Sequence, residues 1–328
     1  MKGIDKKDER ILTELTNNCR KPLTQISKDV KLSRQTTEYR IKRLQNRRFI
    51  DKFTCLIDLK KLNIYEAGFF FRLHSVDEEK NKEIREYIQS HPLTGWSGEG
   101  IGTWNLITDI FGNDYNECES IIEKFFDEFG DYVYDYGLHP IESSNYWFYK
   151  YFTNEGKDKK KKKAKVKIDA LDIKILEILS KNARTKLTDM AKNFDITPNS
   201  VNNRIKKMKE NGVINGFTTM INFQKLGYNL HDFFIEYDYR SRNEEEKFIN
   251  FLKSFPGVIY CYKFIPGWFE VGIVGKGVED VRPLLMQLRG KFRERIKIKQ
   301  FHLAFNLFKQ TITPKGVFEK LRENKGRV

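Results

Sequence analysis

The chain has 328 residues, 39% of them hydrophobic and 14% aromatic, which is enough for two to four domains with packed cores. Its formal net charge of +15 favours a polyanionic partner, nucleic acid first and an anionic membrane surface second, although a solvated lysine-rich surface gives the same balance. No apolar run approaches the ~20 residues of a membrane helix, and the four cysteines are too scattered for a zinc motif or a disulfide framework. We therefore expect a cytoplasmic protein with no cofactor, no metal and no membrane partner.

The chain contains one long internal repeat. The segment that begins Ile4-Asp5-x-x-Asp8 returns 164 residues later as Ile168-Asp169-x-x-Asp172, and Trp104 matches Trp268 at the same offset. A repeat of this length is a duplicated module rather than a solenoid unit of 20–50 residues. Two copies of one module favour a partner that has two related binding sites.

Residues 3–50 are predicted to form three short helices. Three apolar stripes support them: Ile11, Leu12 and Leu15; Ile26 and Val30; Thr37, Ile41 and Leu44. Ser33 precedes the third helix with the chemistry of an N-cap, and Phe53–Ile57 follows as a short strand.

The next ninety residues alternate between strand and helix patterns. Their order is βαββαβ, the ferredoxin-like plan, with one further aromatic strand at Tyr146–Phe152. The predicted elements are Ala67–Leu73, Glu78–Ser90, Leu93–Ser97, Trp104–Phe111, Tyr115–Phe129 and Tyr132–Leu138.

A lysine-rich segment, 154–167, separates the copies and is predicted to be a flexible basic linker. The second copy then repeats the three helices. Thr197-Pro198 is an N-cap followed by proline at the first helical position, and Gly212 ends the third helix. The first copy has Arg48 at the place of Gly212, so that end is either strained or capped differently.

The second copy also repeats the strands and helices, including a hairpin around Pro266-Gly267. The fold class is therefore α+β, with two tandem copies of a winged helix-turn-helix followed by a ferredoxin-like domain. The predicted bounds are 1–60 and 61–153 for the first copy, 154–167 for the linker, 168–224 and 225–315 for the second copy, and 316–328 for a basic tail.

Three helices, a tight turn before the third and a short following hairpin describe a winged helix-turn-helix. Such a third helix fits a major groove about 12 Å wide, where Asn contacts adenine and Arg or Lys contacts guanine or phosphate. A solvated amphipathic helix is the alternative, but two equivalent basic helices favour double-stranded DNA. The predicted DNA-binding residues are Ser33, Arg34, Gln35, Thr36, Arg40, Lys42 and Arg43 in the first copy, and Thr197, Asn199, Ser200, Asn202, Asn203, Arg204, Lys206 and Lys207 in the second.

Asp169-x-x-Asp172-x-x-Ile175-Leu176, followed by Thr197-Pro-Asn-Ser-Val-x-x-Arg204-Ile205, resembles the Lrp/AsnC family of transcription regulators. Residues 4–50 resemble it more loosely. The resemblance implies a DNA-reading third helix and effector domains that pair with one another. Here the two halves of one chain could pair, so that one polypeptide acts as a pseudo-dimer, and further homo-oligomerisation stays open. Because the two readers differ, the resemblance also implies an asymmetric DNA site.

Many members of that family bind an amino acid near the turn into the third strand of the effector domain. The first copy has a glycine-rich turn there, Gly98–Gly102, and the implied effector-binding residues are Gly100, Gly102, Thr103 and Asn105. The glycines alone also suit a plain hairpin. The second copy has Phe269 where Asn105 stands, and an apolar side chain cannot pair with an ammonium group.

Two other functions stay open. Siroheme decarboxylases have a similar architecture, sometimes as two fused copies, and carry a His- and Arg-bearing segment before the third strand, whereas Gly98–Gly102 contains neither residue. A packaging protein would bind nucleic acid with little sequence discrimination. We predict a DNA-binding regulator that is not an enzyme.

Overall fold

The computed structural model describes residues 3–151 and 167–326, so the predicted linker lies outside the described residues apart from Lys167. The first copy contains five helices and five strands in the predicted order. They are α1 (Lys6–Asn18), α2 (Leu23–Val30), α3 (Arg34–Asn46), β1 (Ile50–Ile57), β2 (Tyr65–Leu73), α4 (Glu78–Ser90), β3 (Thr94–Gly102), β4 (Leu106–Gly112), α5 (Tyr115–Phe129) and β5 (Val133–Tyr146).

The second copy has the same order and adds a C-terminal helix. Its elements are α6 (Ala170–Lys181), α7 (Leu187–Phe194), α8 (Pro198–Glu210), β6 (Ile214–Ile221), β7 (Asn229–Tyr237), α9 (Arg242–Ser254), β8 (Val258–Phe264), β9 (Trp268–Gly275), α10 (Val278–Phe292), β10 (Ile296–Lys309) and α11 (Lys315–Gly326). The sequence patterns left α11 unassigned within the basic tail. Among the described helices, none combines the length and the apolar character needed to cross a bilayer.

The chain folds into two compact units, each assembled from both copies. We call them the helical unit, which comprises Met1–Asn63, Phe148–Gly227 and Phe318–Val328, and the barrel unit, which comprises Ile64–Trp147 and Tyr228–Val317. The helical unit contains both three-helix segments, and the barrel unit contains both βαββαβ segments.

A two-stranded antiparallel sheet joins the two copies within the helical unit. The strand that follows each three-helix segment pairs with its equivalent in the other copy, β1 with β6, and Thr54 lies opposite its own repeat partner Thr218. The expectation of a short hairpin after each segment was therefore wrong. Each strand is an isolated edge within its own copy, and pairing the two edges satisfies their backbone groups.

The eight strands of the barrel unit close into a single barrel. Within each copy the strand order is that of a ferredoxin-like sheet, and the two sheets join edge to edge through β5–β8 and β10–β3. Side chains alternate along each strand. Phe69 and Phe71 thus pack against Phe125 of α5, while Phe70 points inward to Phe234 and Phe264 of the other copy.

Two local predictions in the first copy were wrong. The described part of the predicted strand Tyr146–Phe152, which ends at Tyr151, is not a separate strand, because β5 continues to Tyr146 along its second neighbour β8 and a 3-10 turn follows at Phe148–Tyr151. Gly98–Gly102 is not a turn but the end of β3, which pairs with β10. In both cases a strand of the other copy supplies hydrogen bonds that the local sequence does not reveal.

The predicted helix ends are confirmed. Ser33 and Thr197 are N-caps, Pro198 opens α8, and Gly212 has a φ of +72°. Arg48, which stands in the place of Gly212, has a φ of +57° and so occupies the left-handed region that favours glycine. The first copy therefore ends its third helix in the same conformation at a steric cost.

Candidate nucleic-acid interface

Helix α3 is fixed at its start by a side-chain cap and along its length by an apolar stripe. The Ser33 hydroxyl accepts a hydrogen bond from the Thr36 N–H at 3.0 Å. Thr37, Ile41 and Leu44 are buried in the packing of α3 on α1 and α2. The opposite side of the helix is left to solvent.

Helix α8 has the same support. The Thr197 hydroxyl accepts from the Ser200 N–H at 3.1 Å, and Val201, Ile205 and Met208 are buried against α6 and α7. Pro198 needs no hydrogen-bond partner at the first helical position. Both third helices are therefore amphipathic and present one polar face.

Most of the residues predicted to bind DNA do lie on these polar faces. Exposed side chains are those of Ser33, Arg34, Gln35 and Lys42 on the α3 side, and of Thr197, Asn199, Asn202, Asn203, Lys206 and Lys207 on the α8 side. Thr36, Arg40, Arg43, Ser200 and Arg204 are half-buried. Their contact with DNA stays a prediction.

Arg204 is held by two carboxylates of α6. Its guanidinium Nη1 donates to Asp169 Oδ2 at 2.6 Å and to Asp172 Oδ1 at 2.9 Å. The same two aspartates form the capping box at the start of α6. Arg204 therefore fastens α8 to the first helix of its copy.

The first copy repeats this arrangement and strengthens it. Arg40 donates to Asp5 at 2.7 Å and to Asp8 at 2.9 Å, while Arg43 donates to the other oxygen of Asp8 at 2.5 Å. Hydrogen bonding from Arg40 lowers the pKa of the Asp5 carboxyl. The sequence analysis missed this role, although the repeated Asp-x-x-Asp pattern with an arginine at the matching offset was the signal that could have found it.

The two polar faces differ in charge and in chemistry. The α8 face offers three exposed asparagines together with Lys206 and Lys207. The α3 face carries exposed Glu38, which pairs with Lys42 at 3.1 Å, and exposed Tyr39. The face of the second copy is therefore richer in asparagine, a side chain whose chemistry allows bidentate contact with adenine.

Paired contacts around β1 and β6 hold the two three-helix segments together. Arg20 Nη1 donates to the Ala183 carbonyl at 2.5 Å, and its repeat partner Arg184 donates to the Cys19 carbonyl, also at 2.5 Å. Thr54 and Thr218 likewise donate to helix-end carbonyls of the opposite copy, each at 2.9 Å. The contacts follow an approximate two-fold axis that passes between the copies.

The residues implied to bind an amino acid are largely engaged elsewhere. The Asn105 side chain accepts from the Leu73 N–H at 2.8 Å and donates to the Leu73 carbonyl at 3.3 Å. The Thr103 carbonyl accepts from Arg72, and a Cβ on Gly100 or Gly102 would collide with β10. These glycines permit close strand pairing, so effector binding at this place stays a prediction. The described residues also contain no group of three or more side chains that could hold a metal ion.

Comparison with known proteins places this architecture. Residues 4–45 match the AsnC-type helix-turn-helix domain, and residues 168–215 match a model of winged helix-turn-helix DNA-binding domains. The chain is 32% identical over 120 residues to the uncharacterized HTH-type transcriptional regulator PH1916 of Pyrococcus horikoshii, covering 36% of this chain and 80% of that protein. The chain belongs to the Lrp/AsnC family.

Another Lrp/AsnC relative is the regulatory protein AsnC of Haemophilus influenzae. It is 42% identical over 95 residues, and the match covers 29% of this chain and 63% of that protein, which is less than two thirds of its length. This Lrp/AsnC chain also resembles the crystal structure of the siroheme decarboxylase NirDL, with a TM-score of 0.60, 15% identity, and coverage of 97% of this chain and 99% of that one. A likeness at that identity concerns the fold alone.

Proposed function

We propose that this protein is a sequence-specific DNA-binding transcription regulator in which one chain works as a pseudo-dimer. The observation that carries the proposal is the pairing of β1 with β6, which unites two capped, amphipathic third helices within one helical unit. One Lrp/AsnC relative is named a regulatory protein and another an HTH-type transcriptional regulator. The net charge of +15 supports a polyanionic partner.

The two readers are not equivalent, so the proposed DNA site is asymmetric. We expect α8 to contact base edges through Asn199, Asn202 and Asn203, and α3 to contribute more through phosphate contacts by Arg34 and Lys42. Two helix-turn-helix readers of a dimer reach half-sites ~34–36 Å apart, about one turn of DNA. A perfect palindrome would give each reader the same bases and would not match these two surfaces.

The test is selection from fragmented genomic DNA at near-physiological salt, followed by sequencing of the retained fragments. A few discrete, asymmetric sites support the proposal. Uniform retention would identify a packaging protein, and a set of perfect palindromes would contradict the two-reader arrangement. An Asn199→Ala/Asn203→Ala variant should change which sites are retained. A Lys247→Ala variant, which changes an exposed side chain on α9 of the barrel unit, should retain the same sites as the native chain.

We also propose that an amino acid modulates this binding, as the resemblance to the family implies. Repeating the selection with each of the twenty L-amino acids tests the idea. A change in site occupancy that disappears in an Asn105→Leu variant would support effector binding at that place. Occupancy that no amino acid changes would remove this part of the proposal and leave DNA binding intact.

An enzyme of the siroheme-decarboxylase type is the second candidate function. Whole-chain similarity of fold to NirDL favours it, and the neighbour was also crystallised with an iron-uroporphyrin III analogue. Against it, Gly98–Gly102 contains neither histidine nor arginine. Mass loss from siroheme on incubation with the purified protein would establish the enzyme; unchanged siroheme together with selective DNA retention would eliminate it.

A further inference from the structure

The barrel unit contains a cavity of about 1050 Å³. Sites for small molecules measure roughly 300–1,000 Å³, so this space exceeds what a single amino acid requires. Both repeat-related tryptophans, Trp104 and Trp268, line it. The proposed DNA-binding function assigns this space no role.

Trp104, Phe234 and Trp268 line the cavity as an aromatic wall and belong to a larger aromatic cluster that includes Phe70 and Phe264 behind them. Trp268 stacks on Phe264, with ring centroids 4.1 Å apart and an interplanar angle of 16°, and it also contacts Phe234. Phe70 bridges the two tryptophans at 6.0 and 6.2 Å. These rings are locked by their neighbours, so the cavity offers a rigid surface on which a flat molecule could stack.

His139 supplies the polar group on this wall. Its ring meets Trp268 edge-on at 4.8 Å, and a Cβ on Gly137 would lie only 2.5 Å from its Nε2 atom, so Gly137 keeps the space that the imidazole occupies. Within the part of the chain that the structure describes, the ring nitrogens of His139 have no hydrogen-bond partner. Burial lowers the pKa of His139, which favours a neutral imidazole with one donor and one acceptor.

The equivalent histidine of the second copy has a different environment: one of its ring nitrogens has a carboxylate partner, and its Nε2 is buried without a partner among the described residues. His302 occupies the matching place on β10, is fully buried and lies 3.2 Å from Asp232. Strand pairing explains the difference, because His302 lies opposite Asp232 whereas His139 lies opposite Gly68. Duplication has thus produced one histidine with a carboxylate partner and one that faces a cavity.

The rim of the cavity does not select for charge. It carries three carboxylates, of Glu236, Asp238 and Glu294, and three cations, of Arg295, Lys297 and Lys299. Lys299 pairs with Glu236 at 2.7 Å, and Arg295 pairs with Glu244 at 2.6 Å. Discrimination must therefore come from stacking and from hydrogen bonding at the wall.

We propose that this cavity binds a planar, fused-ring heteroaromatic molecule without net charge, stacked on the aromatic wall and hydrogen-bonded at its edge by His139. The neutral imidazole of His139 offers one donor and one acceptor that point in different directions, so it can make one hydrogen bond with a donor or an acceptor on the ring edge of such a molecule. This inference does not rest on DNA binding.

Isothermal titration of the full chain with riboflavin and with adenosine, each in the absence of DNA, tests the proposal. At least one of them should bind saturably, with one molecule per chain. A His139→Phe variant keeps an aromatic ring but loses both nitrogens, and should weaken that binding about tenfold, as the loss of one hydrogen bond implies. A His139→Gln variant keeps a donor and an acceptor and should recover most of the affinity.

His74→Phe is the matched control, because His74 is exposed and does not line the cavity, and it should leave binding unchanged. Circular dichroism of each variant verifies folding. Absence of saturable binding by both compounds would overturn the proposal, as would equal affinity in the native chain and the His139→Phe variant. Stronger binding of L-leucine than of either compound would also overturn it.

Discussion

The guanidinium of Arg204 lies 2.9 Å from the carboxylate of Asp172 and joins the third helix of the second copy to its first helix. Because Asp169 and Asp172 also cap α6, one arginine stabilises both the start of α6 and the orientation of α8. The orientation of the α8 polar face thus depends on the salt bridge between Arg204 and the aspartates at the start of α6.

Arg204→Ala should destabilise the helical unit by ~1 kcal/mol, since two charge-assisted hydrogen bonds are lost but the pair is partly exposed and screened. Urea unfolding followed by circular dichroism measures this change. DNA affinity should fall as well, because α8 is less firmly held. Lys206→Ala, which alters a largely exposed side chain on the same helix, is the control for stability and should leave the urea midpoint unchanged.

Lys207→Ala should weaken binding to all DNA sequences to a similar degree. We expect the exposed Lys207 to contact phosphate, so that its loss reduces the slope of log K against log salt by ~0.9. Fluorescence anisotropy at several salt concentrations gives that slope. A selective effect on one sequence would instead place Lys207 at a base edge.

Arg48→Gly should stabilise the helical unit by ~0.5–1 kcal/mol. Arg48 has a φ of +57°, a conformation that costs a residue with a Cβ about 1 kcal/mol or more, although glycine returns part of this through the entropy of the unfolded chain. The converse change, Gly212→Ala, should destabilise the equivalent helix end. Urea midpoints of the two variants should move in opposite directions; a fall for Arg48→Gly would show that the arginine side chain makes a compensating contact.

Asp5→Asn should reduce stability more at pH 7 than at pH 3. The folded state holds the Asp5 pKa below its ordinary value, chiefly through the hydrogen bond from Arg40, so the unfolded chain takes up a proton first as the pH falls. The stabilisation from this carboxylate is therefore complete above its unfolded pKa, near 4, and is lost as the pH falls through the lower folded value. The urea midpoints of the native chain and the variant should lie closer together at pH 3 than at pH 7.

The local features of the fold were predictable because their causes lie within a few residues. Ser33 and Thr197 have the chemistry of N-caps, Gly212 suits a left-handed helix end, and the 2- and 3.6-residue periods distinguish strands from helices. Repetition between the copies supports the N-caps and the periodic patterns, whereas the glycine at 212 is replaced by Arg48 in the first copy.

Non-local pairing was not predictable from the same signals. The partner of β1 lies about 160 residues away, and nothing in the pattern of Ile50–Ile57 distinguishes a hairpin strand from one that pairs with the other copy. The same limit applies to Gly98–Gly102, where glycines that permit tight pairing with β10 look like turn residues. The salt bridges of Arg40 and Arg204 were not predicted, because a basic residue on a third helix can bind either a carboxylate of the same copy or a DNA phosphate.

Strand pairing between the copies also has a consequence for biosynthesis. When the first copy has been translated, β1, β3 and β5 have edges whose partners do not yet exist, so they are open to pairing with a neighbouring nascent chain. Because the second copy is covalently connected to the first, its effective concentration is high. This favours strand pairing between the two copies of one polypeptide over pairing between two polypeptides. Closing such distant contacts carries a large loop entropy, so refolding should be slow and its yield should fall steeply with protein concentration.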